Sequence, residues 1–363
     1  KNMPREVVTL QVGQCGNQIG GRFWDLALQE HVASASTSSS GTTGSSSLQF
    51  DDALSTFFRN VDRRNNGSID PASTKEIKTL RARAVLIDME DGVVNACLNG
   101  PLGDLFDRSQ IVTDVSGAGN NWAHGYFEYG QKTYHSRISN AVRVAVERCD
   151  SLQCFLLLQS TGGGTGSGVG TYTLGKILAD QYPEYYRFVS CVTPSKEDDV
   201  ITSPYNAILS LNQMIEHAHC VLPVNNDSLI NLVNKINGSG ASKTSSSGST
   251  TSTGVAASLL QMQAGGPAGA LQLHARGAGS GISTKTPGGA AVPTAAKRSP
   301  GGAGPAAAAK SSGPPFGDMN LLVAQMLNHL TASMRYSGSL NLDLNEITTN
   351  LVPYPRIHFM LPS

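Results

Sequence analysis

No Cys-x-x-Cys pair occurs in this chain of 363 residues. Its six cysteines, Cys15, Cys97, Cys149, Cys154, Cys191 and Cys220, are scattered, most of them in apolar strand-like runs. That argues against a disulfide framework and fits reduced thiols in a cytosolic protein. No charge of one sign prevails, because 27 Lys and Arg stand against 27 Asp and Glu. The balance removes the general electrostatic case for nucleic acid or membrane as a partner, and neither is expected. No apolar run reaches the ~18 residues of a membrane helix, and no signal peptide opens the sequence. The expectation is a soluble, intracellular protein.

Glycine, by contrast, is abundant. The densest stretch, "QSTGGGTGSGVG" from Gln159 to Gly170, holds six glycines, four hydroxyl residues and no charge. It follows one of several short apolar runs: "EVVTLQV" (Glu6 to Val12), "ARAVLIDM" (Ala82 to Met89), "QIVTDV" (Gln110 to Val115), "CFLLLQS" (Cys154 to Ser160), "RFVSCVT" (Arg187 to Thr193) and "CVLPV" (Cys220 to Val224). These read as strands buried on both faces. Between them, Ile138, Ala141, Val142, Ala145 and Val146 share one helical stripe. Strand, glycine-rich turn and helix in repeated order predict an α/β fold, a doubly wound, mostly parallel sheet with helices on both faces. Ligands of such sheets bind beyond the carboxyl ends of the strands. "GQCGNQIG" (Gly13 to Gly20), "DMEDG" (Asp88 to Gly92), "GAGNNW" (Gly117 to Trp122) and Gly162 to Gly168 all read as turns at those ends. Four such turns at one edge describe one site.

Two segments depart from this plan. Residues 34–47 form a polar low-complexity loop within a domain expected over 1–237. Residues 238–315 are largely Gly, Ala, Ser, Thr and Pro, with no aromatic or acidic residue and six basic ones. Such a composition cannot offset its ordering entropy, so a disordered insertion is expected. The fold resumes at 316–336, where Met319, Leu322, Val323, Met326, Leu327 and Leu330 mark an amphipathic core helix.

Backbone N–H groups at a helix start, backed by the helix dipole, make an anion site that glycine lets a ligand approach. Each charge-assisted bond contributes roughly 1.5–3 kcal/mol, so three or four hold a polyphosphate without lysine. The dinucleotide pattern GxGxxG fails, because Val169 stands at the third glycine. "GTYTLGKI" (Gly170 to Ile177) nears the P-loop pattern but lacks its final Ser or Thr and lies within a predicted helix. Substitution of Gly170 is therefore expected to be nearly silent. Close helix–strand packing or a flexible linker remains the other account of Gly162 to Gly168 on these residues alone.

"QVGQCGNQIG", "SGAGNNWAHG", "GGGTGSG", "PYNAIL", "FGDMN" and "LVPYPRIHFML" occur in this order. Together they resemble tubulins along nearly the whole chain outside the two low-complexity segments. "FFRNVD", "RAVLIDME", "WDLAL" and "EDDVITSPYN" are more similar to the epsilon branch of that family than to the alpha, beta or gamma branches. The resemblance implies GTP or GDP as ligand, with Mg2+. It places Gln14 and Cys15 against the nucleotide, Glu90 at the metal with Asp88 nearby, and Ala118, Gly119 and Asn120 facing the γ-phosphate. Ser160, Gly163, Gly164, Thr165 and Gly166 are implied to cradle the α- and β-phosphates. Asp199 is implied on the ribose side, where Ser203 departs from the glutamate usual before "PYN". Asn226 and Asn320 are implied to read the guanine edge, and Phe316 replaces the usual stacking tyrosine.

The same resemblance implies that residues 337–363 hold a catalytic loop and the start of an intermediate domain. Glu346 is implied to act on the nucleotide of the next subunit, although an exposed charge in a helix's first turn is the plainer account. Other tubulin subunits, microtubule or centriolar proteins, and a cytoplasmic, cytoskeletal place at a microtubule-organising centre, centriole or basal body follow as expectations. The tubulin pattern continues past "RIHFML", so a fragment or a truncated gene product is expected. Hydrolysis at subunit interfaces and a permanently GTP-bound subunit without turnover both stand open. A dinucleotide-dependent oxidoreductase does not fit the loop.

Overall fold

A computed structural model describes residues 5–38, 49–62, 67–68, 76–196, 198, 200–241, 316–336, 343–354 and 356–362. Asp199, most of 238–315 and the stretch 337–342 lie outside them, and with them the expectations placed there. Residues 1–236 together with 316–363 make one compact unit, and 237–315 a second.

The strands are β1 (Glu6–Val12), β2 (Phe58–Asp62), β3 (Gly67–Ser68), β4 (Leu80–Ala82), β5 (Ala84–Asp88), β6 (Ile111–Thr113), β7 (Leu152–Ser160), β8 (Tyr186–Thr193) and β9 (Cys220–Asn225). Six of them form one sheet in the order β6-β5-β1-β7-β8-β9. All its pairings are parallel. β2, β3 and β4 form a small antiparallel sheet that the apolar runs did not announce. The helices are α1 (Gly13–Ser38), α2 (Asp52–Ser55), α3 (Asp91–Asn99), α4 (His135–Glu147), α5 (Gly170–Tyr172), α6 (Ser203–His217), α7 (Asn226–Ala241), α8 (Gly317–Leu330), α9 (Ala332–Arg335) and α10 (Leu344–Leu351).

Alternation along the strands builds two cores. Val7, Cys154, Leu156 and Leu158 pack with Ile19, Phe23 and Trp24 of α1 and Val323 and Leu327 of α8. Val8, Leu10, Phe155 and Leu157 pack on the other face with Ile138 and Val142 of α4. Burial on both faces explains why these strands read as continuous apolar runs. Edge-to-face contacts of Phe23, Trp24, Phe57 and Phe58, at 5.1–6.1 Å, seat the small sheet on α1. The buried Glu6–Arg83 ion pair is completed by backbone: Ser151 N–H donates to Glu6 at 2.7 Å and Arg83 donates to the Ser55 carbonyl at 3.0 Å.

Three local expectations are corrected. "GQCGNQIG" is the first two turns of α1, not a turn, because Gly16 and Gly20 let the helix lie directly on Leu158 and Gln11. α1 continues to Ser38, into the segment expected to be a loop. The helix expected over 316–336 breaks at Thr331, after which α9 buries Arg335 against Glu30 at 2.8 Å. "RIHFML" contributes one parallel bridge, Val221 to Phe359.

Candidate functional site

The order of the large sheet reverses direction between β1 and β7, and this switch point is where open α/β sheets bind ligands. Two helical runs begin there. α1 starts at Gly13, directly after β1, and the run 164–181 starts four residues after β7 ends. Gly13 has φ +73°, and a Cβ on it would stand 3.0 Å from the Gly166 nitrogen. The two helix starts therefore abut, and their free N–H groups and dipoles converge on one cleft.

The glycines divide into two kinds. A Cβ on Gly164 would meet the Ala118 carbonyl and the Asn121 nitrogen at 2.7 Å, and one on Gly166 would meet Ser160 Oγ at 2.7 Å. No side chain fits at either position, so packing by itself accounts for the missing Cβ there. Gly163 and Gly119 are different. A Cβ on Gly163 would have Ser160 Oγ at 3.8 Å and Asn120 Oδ1 at 3.9 Å as nearest atoms, and one on Gly119 would meet nothing within 4 Å. Their backbones are open to a ligand. Gly170 is not the neutral position its failed motif suggested. A Cβ there would stand 2.0 Å from Oε1 of the buried Gln159.

Two carboxylates lie at the end of β5. Asp88 is buried, Oδ1 accepts the Glu90 N–H at 3.3 Å, and Oδ2 has no donor in bonding geometry. Burial, offset by backbone N–H bonds from Glu90 and Met89 and reinforced by the Glu90 charge, pushes its carboxyl up to about 6. Glu90 is exposed and lies against Gly117, whose φ of +67° and lack of a Cβ make room for it. An orphaned carboxylate oxygen and a second carboxylate at the strand ends fit Mg2+, which takes one or two carboxylates and completes its shell with phosphates and water. Among the described residues no cluster of three or more His, Cys, Asp or Glu could hold a metal alone. The thiol of Cys15, in the first turn of α1, is pushed up to about 12 by burial, so it stays protonated and packs rather than attacks.

The remaining expected residues separate by place. Asn320, on α8, donates to Gln18 in the second turn of α1 at 3.1 Å. Asn226 opens α7 at the carboxyl end of β9. Phe316 caps α8 in the left-handed region at φ +70° and is exposed. Asp198, not among the expected residues, accepts from Ser203 at 2.8 Å and lies near Gly162, so the residue replacing the usual glutamate orients a neighbouring acid. Glu346 stands apart from all of these. It is exposed in the first turn of α10, where its carboxylate accepts the Asp343 N–H at 3.4 Å in a capping box. Asp343 pairs with Arg5, just before β1, so this helix start lies at the amino ends of the strands, across the sheet from the cleft. Asn206 of α6 was missed entirely. Nothing in "PYNAIL" marks it except an amide placed four residues after Thr202.

A parallel sheet with two helix starts, packed glycine turns and a carboxylate pair at its switch point defines an α/β protein built to hold a phosphorylated ligand. A family model described as the GTPase domain of the Tubulin/FtsZ family matches residues 6–234. The chain belongs to the tubulin family. It is 45% identical over 359 residues to the tubulin epsilon chain of Mus musculus and 44% identical to that of Homo sapiens, covering 98% of this chain and 63% of each relative. It is 31% identical to the tubulin beta chain of Aspergillus fumigatus, over 98% of this chain and 59% of that protein. The chain thus spans less than two thirds of the length of these relatives.

Proposed function

We propose that this protein binds a guanine nucleotide with Mg2+ in the β1–β7 cleft and joins other tubulin subunits head to tail. The abutting helix starts at Gly13 and Gly164 carry the reading, because two sets of free N–H groups suit a polyphosphate. Gln14, Cys15 and Thr165 line the same turns. Gly163 and Gly166, with Ser160, hold the α- and β-phosphates, and Ala118, Gly119 and Asn120 face the third. Asp88 and Glu90 hold Mg2+, which when bound neutralises phosphate charge. Asp199 serves the ribose. Asn226 and Asn320 read the base, since a carboxamide both donates and accepts as guanine requires, and Phe316 stacks on it.

Hydrolysis is assigned to Glu346 acting on a neighbouring subunit's GTP, in a cytoskeletal protein of the centriole or basal body type with microtubule or centriolar partners. One observation favours the second reading, a GTP-bound structural subunit without turnover: the Glu346 carboxylate is already engaged at its own helix cap. The test is the nucleotide that purified protein releases on denaturation, with and without prior chelation of Mg2+. Guanine nucleotide lost on chelation is expected. Release of adenine nucleotide, or of none from protein folded beforehand, refutes the assignment.

A further inference from the structure

Asn206 lies in the first helical turns of α6 and is 3% exposed. Its carboxamide makes three hydrogen bonds to the backbone of two separate turns. Nδ2 donates to the Asn120 carbonyl at 2.8 Å and to the Gly162 carbonyl at 2.8 Å, and Oδ1 accepts the Trp122 N–H at 2.9 Å. Both donor directions face carbonyls and the acceptor faces an N–H, so the amide has one possible orientation. Thr202, just before α6, adds a second bond to the Asn120 carbonyl at 2.7 Å. Asn120 itself holds φ +50°, a left-handed conformation that a non-glycine residue keeps when its surroundings fix it.

We propose that Asn206 is a positioning residue that locks the 117–122 turn to the phosphate turn after β7, so that recognition of the terminal phosphate depends on α6. The inference rests on the guanine-nucleotide reading above, with 118–120 facing the third phosphate. GDP needs the helix starts at Gly13 and Gly164 but not the 117–122 turn. GTP needs both turns in register, and the register is set by one buried amide and one hydroxyl. Removing them frees the Asn120 peptide to leave its left-handed conformation, which costs GTP more than GDP.

Asn206→Asp keeps the side chain's shape and its acceptor for Trp122, but sets carboxylate oxygen against two carbonyls that lose their donor. Thr202→Val removes only the exposed hydroxyl bond and leaves the core untouched. Affinities for GTP and GDP are measured on the nucleotide-stripped full chain in the presence of Mg2+. The GTP:GDP affinity ratio is expected to fall about tenfold or more in Asn206→Asp and about threefold in Thr202→Val, the latter with an unchanged melting temperature. Equal weakening of both nucleotides marks a merely structural residue and overturns the proposal, as does an unchanged ratio. Should Asn206→Asp fail to fold, the ratio in Thr202→Val decides alone. Unmodified protein that binds neither nucleotide overturns the functional reading as well, whereas normal binding with an unmoved ratio overturns this inference only.

Discussion

His31 of α1 illustrates how a single buried group can set the pH response of a fold. Its ring lies 5.1 Å from that of Tyr336 and 6.2 Å from that of Phe58, and its Nε2 finds no partner. Arg335, buried and paired with Glu30, is the cation on the facing element. Burial, and secondarily the Arg335 charge, lowers the imidazole to about 4 from an ordinary 6.5. The unfolded chain therefore takes up this proton first as pH falls. The neutral ring's contribution is intact above pH 6.5 and is lost progressively as pH falls towards 4. His31→Phe keeps a ring in place and removes the proton site. Thermal melting followed from pH 7 to 4.5 should show a flatter decline in the variant, by on the order of 1–2 kcal/mol. Parallel curves for the two proteins would mean that His31 does not carry this dependence.

Elements explain why some of this was legible in the sequence and some was not. β1 begins and ends where its apolar run does, and the Ile138 stripe falls within α4, because burial on two faces or one writes itself into residue type. The small sheet, Asn206 and the helical start at Gly13 were not legible. For Asn206 the reason lies in a contact across more than 80 residues, to Asn120, and for the helical start in a missing Cβ against a distant carbonyl, while the small sheet joins short runs with no alternating apolar pattern. The glycine turn was read as a ligand loop; a Cβ has room at Gly163 but not at Gly164, which is a joint between two turns. Gly164→Val should therefore separate the turns and reduce nucleotide affinity at least about a hundredfold by clash with the Ala118 and Asn121 backbone. Gly170→Ala should act differently. Displacing the Gln159 carboxamide should lower stability by about 1–3 kcal/mol while folded protein binds nucleotide within about threefold of normal. Nucleotide titration alongside denaturant melts separates the two effects, and matching losses of affinity in both variants would contradict the division.

At the scale of the whole molecule, the sheet has an end that carries the proposed nucleotide cleft and an opposite end, and Glu346 belongs to the latter. The nine residues of β7 span about 26 Å between them, too far for Glu346 to serve its own cleft. If copies stack head to tail as proposed, one copy's α10 start would face the next copy's phosphate turns, a heterologous contact that extends without closing. Phosphate release per molecule should then rise with protein concentration. Because Glu346 also caps α10, its removal confuses two effects, and the choice of substitution matters. Glu346→Gln retains the capping-box geometry and removes the carboxylate, whereas Glu346→Ala removes both and costs about a further 1 kcal/mol of stability. If the carboxylate positions the attacking water, Glu346→Gln should slow the concentration-dependent rate by roughly 10²–10⁴ without changing GTP affinity or melting. A rate in Glu346→Gln equal to that of the unmodified protein would leave Glu346 as a helix cap and favour the subunit without turnover. Fast hydrolysis independent of concentration and abolished by Glu346→Gln would place the glutamate at its own nucleotide, which the separation across the sheet forbids.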